Sequence, residues 1–240
     1  MFIHFEDRPS DSPLVERVWR SHSERSGRFH SMASCNWGMV VTRLRGETHF
    51  TVRGPETMAT IADCPAEGDW VGVHFRLGTY MPSFPTGRLR NRNDVTLPSA
   101  SSRTFHLSGS AWEYPTYENI DTFVQRLVKR GLIVSDPHVA AALDAVAHPD
   151  ASRHGSVRTA QRRVMNATGL TCAAIRQIER ARRATELLQR GATILEVTHD
   201  LGYFDQAHLT RSLTRFIGQT PAQVARGVEQ LSLLYKKRRP

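Results

Sequence analysis

The clearest helical periodicity lies in the last third of the chain. Ile194, Val197, Thr198 and Leu201 fall at i, i+3, i+4 and i+7, one apolar stripe on a helix. Gly202 follows, where a left-handed backbone ends a helix at little cost. Asp205 is placed to N-cap a second helix. That helix carries Leu209, Leu213 and Phe216 on its inner side and leaves Gln206, Ala207, His208, Thr210, Arg211 and Arg215 outward. Gly218 and Pro221 are expected to close the unit. Two short helices joined by a Gly-containing turn, the second polar and basic outside, make the frame of a major-groove reader.

Four more helices precede it. Tyr117, Ile120, Phe123, Val124, Leu127 and Val128 line one face of a helix over 117–130, ended by Gly131. Ser135 or Asp136 caps an Ala-rich helix through 139–146, and residues 148–154 read as a break. Ser156 caps a helix over 157–165 that ends at Gly169. A long helix over 172–190 follows, with Arg176, Arg180, Arg183 and Arg190 on its more exposed side, where they are expected to contact phosphates. At about 1.5 Å per residue it spans about 27 Å. With the width of the flanking units, that length holds two reading helices about one DNA turn apart, in successive major-groove segments.

The first half has the period of strands. Residues 37–44 are rich in β-branched and aromatic side chains, and Arg45-Gly46 turns them into a partner over 48–53. Over 69–77, Val71, Val73, Phe75 and Leu77 alternate with Trp70, Gly72, His74 and Arg76. A short strand is predicted over 104–107. Residues 1–13 read as loop, and Leu14, Val15, Val18 and Trp19 suggest one or two helical turns. The fold class expected is α+β in two domains. Residues 1–134 form a small β barrel or sandwich plus a helix, and residues 135–240 are all helical.

Charge separates the halves further. From Asp136 onward there are 16 Lys and Arg against 9 Asp and Glu, whereas the first 135 residues hold 16 against 14. The net +9 favours a polyanionic partner, and its location favours the helical half as the place of contact. Three separated cysteines, Cys35, Cys64 and Cys172, fit a reducing compartment. No apolar run approaches the roughly 18 residues of a bilayer span, and the polar start does not resemble a signal peptide. A cytoplasmic protein is expected.

The stretch LGYFDQAHLTRSLTRFIGQTPAQV resembles the second helix-turn-helix of AraC/XylS-type transcription regulators. The 157–165 helix resembles the recognition helix of the first. The resemblance implies tandem readers on double-stranded DNA, with Arg158, Gln161 and Arg162 toward DNA in the first and Gln206, Ala207, His208, Thr210, Arg211 and Arg215 in the second. Arg suits guanine, Gln suits adenine, and Ala207 offers apolar contact to a thymine methyl. The family has two helices before its first recognition helix, whereas one fits between Pro137 and Ser156, so the first unit is abbreviated. FEDRPSDSPLVERVW resembles the opening of a subset of these regulators, whose N-terminal domain is cupin-like. That implies effector sensing, a homodimer through the 117–130 helix, and contact with RNA polymerase if the protein activates.

Candidate chemistry in the first half is sparse. A metal-binding cupin needs a His-x-His pair, but His74 is followed by Phe75 and Arg76, and His30, His49 and His106 are scattered. No metal and no cofactor are expected. Trp37, Met39, Trp70, His74, Arg76 and Trp112 form a candidate effector lining, apolar walls with a few polar anchors. No nucleophile–base arrangement and no phosphate-cradling Gly-rich loop is legible, so no catalytic residue is assigned. Two other classes compete. A cupin-like small-molecule enzyme with a DNA-binding appendage would carry metal. An alkyl-accepting repair protein would need a reactive cysteine setting that Cys64-Pro65 does not supply.

Overall fold

The computed structural model describes residues 2–91, 94–147 and 157–227. The elements run β1 (Ile3–Arg8), β2 (Val15–Ser23), β3 (Gly27–Ser31), β4 (Gly38–Leu44), β5 (Glu47–Arg53), β6 (Thr60–Cys64), β7 (Gly68–Phe75), β8 (Thr79–Tyr80), α1 (Thr86–Leu89), β9 (Asp94–Leu97), β10 (Thr104–Leu107), β11 (Ser110–Glu113), α2 (Ile120–Lys129), β12 (Val134–Ser135), α3 (Val139–Ala147), α4 (Val157–Thr168), α5 (Cys172–Gln189), α6 (Ile194–Asp200), α7 (Gln206–Phe216) and α8 (Pro221–Arg226). The first part is mostly strand and the last part helical. Among the described residues no helix is long and apolar enough to cross a membrane.

Six strands form an antiparallel sheet in the order β1-β2-β7-β4-β5-β9. Directly paired residues share a face, so the register sets out rows of core side chains. One row is Val18, Val73, Met39 and Val52; the next is Val71, Val41, Phe50 and Leu97. All eight are buried. The β10–β11 hairpin and the inner face of α2 pack on these rows. Phe105 stacks on Phe50 at 4.0 Å, and Phe123 meets the same ring edge-on at 5.8 Å. The β4–β5 turn is the expected one: Arg45 and Gly46 both take positive φ, 52° and 81°, as a two-residue hairpin turn requires.

The barrel or sandwich expected from sequence is instead an open sheet, with β1 and β9 as its edges among the described residues. Residues 14–19 are not helical turns but lie in and before β2, and residues 3–8 are strand rather than loop. A bulge between Val15 and Arg17 explains the first error. It puts Val15 and Val18 on one face three residues apart, a spacing that imitates a helix. The smaller strands β3, β6, β8, β9, β11 and β12 are not predicted from sequence, being too short to show a clear alternation.

Packing groups the chain into two units. One holds Met1–Arg25, Asn36–Pro55 and Pro65–Cys172, that is, the sheet with α1 to α4. The other holds Ser26–Cys35, Glu56–Cys64 and Ala173–Pro240. The β3–β6 ribbon therefore belongs with α6, α7 and α8. Ala33 N–H donates to the Phe216 carbonyl and Ala59 N–H to the Arg215 carbonyl, both at 2.8 Å. These bonds satisfy carbonyls at the end of α7 that no helical turn follows. Gly218 closes this corner at φ +86°, where a Cβ would stand 2.4 Å from His30 Nδ1.

Candidate nucleic-acid interface

The helical hairpin of α6 and α7 is assembled by local code. Thr193 caps α6 through a capping box: its hydroxyl accepts from Glu196 N–H, and the Glu196 carboxylate accepts from Thr193 N–H at 2.7 Å. These bonds to Thr193 hold the Glu196 carboxyl below its ordinary pKa. Gly202 turns the chain at φ +64°. Asp205 then caps α7, accepting from His208 N–H at 2.6 Å. Leu209, Ser212, Leu213 and Phe216 are buried on its inner side. Beyond it, Thr220 and Gln223 form a second capping box. Pro221, expected to close the unit, is instead the first residue of α8, where a missing N–H costs nothing.

Of the six outward residues expected on α7, Gln206, Ala207, Arg211 and Arg215 are exposed, while His208 and Thr210 are half-buried. His208 is occupied locally. Its Nδ1 accepts from Phe204 N–H at 3.3 Å, and its ring meets Tyr203 edge-on at 5.2 Å. Nδ1 as acceptor leaves Nε2 carrying the proton. Thr210 donates its hydroxyl to the Gln206 carbonyl one turn back. The Arg215 guanidinium lies 5.1 Å from the Phe216 ring centroid.

The turn is tied to α5 by a residue that sequence reasoning assigned elsewhere. Arg180, expected to be a phosphate contact, lies over the Tyr203 ring at 4.4 Å and donates to the Gly202 carbonyl at 3.5 Å. Its Nε is buried and lacks a partner among the described residues. Tyr203 in turn exchanges a hydrogen bond with Ser212 of α7 at 3.3 Å. Nearby, Arg183 pairs with Glu186 at 3.0 Å and Arg182 with Glu179 at 3.7 Å. Arg176 and Arg190 are exposed.

On α4, Arg158, Gln161 and Arg162 are exposed, with Val164 fully buried and Ala160 half-buried. Ser156 and the 148–154 break lie outside the described residues, as does the basic stretch 236–239. Segments of the sheet unit hold the end of α4. Thr86 donates to the Ala167 carbonyl at 3.2 Å and Arg90 to the Gly169 carbonyl at 3.3 Å. A Cβ on Gly169, at φ +70°, would stand 2.5 Å from Gly87 Cα. Arg163 pairs with Asp136 at 3.4 Å.

The expected effector residues are not brought together. Trp37 and Trp112 are buried in the core, Trp37 stacked on Phe75 at 4.1 Å. Their indole N–H groups donate to the Thr79 and Leu107 carbonyls. Met39 is buried in the same core. Trp70 and His74 lie on the opposite face of β7, half-buried, and Arg76 is exposed beyond the strand. Trp70 alone of the set lines a cleft of about 650 Å³, together with His4, Arg20, Arg43 and Tyr117 among others. The Tyr117 hydroxyl is buried and lacks a partner among the described residues. Burial, with Glu6 nearby, pushes its phenol above the ordinary tyrosine pKa. Cys35, Cys64 and Cys172 are all buried and none is in a disulfide. Among the described residues no three His, Cys, Asp or Glu gather as metal ligands would.

A capped, half-exposed helix with a basic outer face, set against a shorter helix through a glycine turn, is one arrangement that admits a helix into a DNA groove. Residues 153–227 match the family model of a helix-turn-helix domain. Comparison of the chain with curated proteins and with solved structures finds no match. The carboxy-terminal region of this chain is therefore similar to a helix-turn-helix domain.

Proposed function

We propose that the chain is a sequence-specific DNA-binding transcription regulator in which α7 reads bases in the major groove. The observation that carries this is the outer face of α7: Gln206, Ala207 and Arg211 stand exposed on its first turns, on a helix fixed by the Asp205 cap. Gln206 and Arg211 have side chains able to make paired hydrogen bonds to base edges. His208 contributes through Nε2, and Arg215 grips phosphate. Arg158, Gln161 and Arg162 of α4 supply a second set of contacts. Since Thr210 is bonded to its own helix, it contributes shape and its methyl group.

Residues 1–134 are the sensing and dimerisation part on this reading, with 135–240 as the DNA-binding part. The cleft beside Tyr117 receives a small effector, Trp70 being the aromatic from the original set that reaches it. Dimerisation through α2 uses its outer side, because Ile120, Phe123, Val124 and Leu127 are spent on the chain's own core. Arg126, Val128, Lys129 and Arg130 then form the seam. A cytoplasmic setting and, for an activator, contact with RNA polymerase belong to the same proposal. Selection of duplexes from a random pool, with and without metabolite extract, tests it. Enrichment of one motif supports DNA reading, and a shift in affinity on adding extract supports an effector. A pool left unchanged overturns the proposal.

A further inference from the structure

Phe204 is the most exposed large apolar residue described, at 92%. It sits in the turn immediately before the Asp205 cap of α7. An apolar residue at that position ordinarily packs back on the residue at the fourth helical position, fixing the entry of the chain. Here that residue is Leu209, which is fully buried and does not receive Phe204. The inward place is taken by Tyr203, buried against Ser212 and His208. The Phe204 N–H is held by His208 Nδ1, so its backbone is fixed while its ring stands in solvent.

It immediately precedes the helix on which Gln206, Ala207 and Arg211 are exposed. The amino-terminal residues of a reading helix are those that approach base edges. The apolar feature that a base edge offers in the major groove is the thymine 5-methyl group, and phenylalanine is among the side chains that meet it. We infer that Phe204 is a specificity-determining residue that packs on a thymine methyl beside the bases read by α7. The inference rests on the DNA-reading proposal and adds a base preference to it.

The test uses the full-length chain and the duplex it enriches from a random pool. Each thymine is replaced in turn by deoxyuridine, which removes only the methyl. Affinities are measured for the wild type, Phe204→Ala and Phe204→Leu. One replacement should weaken the wild type about fourfold, the worth of one buried methyl group. Phe204→Ala should bind the thymine duplex several-fold more weakly and be indifferent to that replacement, while Phe204→Leu keeps most of the sensitivity. The inference is overturned if Phe204→Ala binds as the wild type does, or if it retains the full response to every replacement. It is equally overturned if Phe204→Ala weakens enriched and random duplexes alike. A wild type that enriches no duplex defeats the DNA-reading proposal itself; enrichment without coupling to Phe204 defeats this inference alone. Should Phe204→Ala lower the thermal midpoint, the comparison of Phe204→Leu with the wild type decides.

Discussion

Arg211 and Arg180 carry the same charge and are expected to fail differently. Arg211 is exposed on the outer face of α7. Arg211→Ala should cost about tenfold to a hundredfold in preference for the enriched duplex over random DNA, the worth of a paired contact to a base. Competition binding measures this directly. Arg180 is folded into the turn over Tyr203. Arg180→Met should lower thermal stability and blunt discrimination, yet leave the slope of log affinity against log salt unchanged, since no phosphate contact is lost. A fall of about one in that slope would restore the phosphate role. Arg180→Lys should not rescue, because an ammonium cannot reproduce a planar guanidinium stacked on a ring. The difference between the two arginines was not legible in the sequence. Charge and helical phase showed Arg180 beside Arg176 and Arg183, but its partner lies 22 residues away in the turn. Asp205 and Gly202 were legible because an N-cap and a positive-φ turn depend only on immediate neighbours.

Among elements, those with strong local signals were read and those made by distant pairing were not. The α6–α7 hairpin follows from its caps, apolar stripe and glycine. The β3–β6 ribbon is short, and nothing in its residues announces that it packs with α7. Ala59→Pro removes the N–H that meets the Arg215 carbonyl and should destabilise the end of α7 by about 1–3 kcal/mol. Faster amide hydrogen exchange confined to that end of the helix is the expected signature. The α6 cap makes a pH-dependent prediction. Thr193→Ala should cost about 1 kcal/mol at neutral pH. Glu196 has its folded pKa lowered by Thr193, so its contribution is in place above the unfolded value and is lost as pH falls through the folded one. The gap in thermal midpoint between wild type and Glu196→Ala should therefore narrow on going from pH 7 to about pH 3; a gap constant across that range would remove the Glu196 carboxylate from the cap. The sheet teaches the reverse lesson. Its central strands β4, β5 and β7 were read from alternation, whereas the β2 bulge broke the alternation and disguised a strand as helical turns.

At the scale of the whole chain, the net charge of +9 lies mostly beyond residue 135. Binding to DNA should accordingly weaken steeply with salt, on random and preferred duplexes alike. Preference between them should survive, because discrimination resides in hydrogen bonds and apolar contacts to base edges. Charge can be counted from sequence, but the grouping of ribbon and helices into units could not be, since it depends on contacts between distant residues. The central claim is that the outer face of α7 reads bases. Selecting duplexes from one random pool with the wild type and with Arg211→Ala, side by side, tests it most directly. The expected result is a single enriched motif for the wild type and loss of preference at one position of that motif for the variant. Identical motifs from both proteins, or no enrichment by the wild type even at low salt, would contradict it.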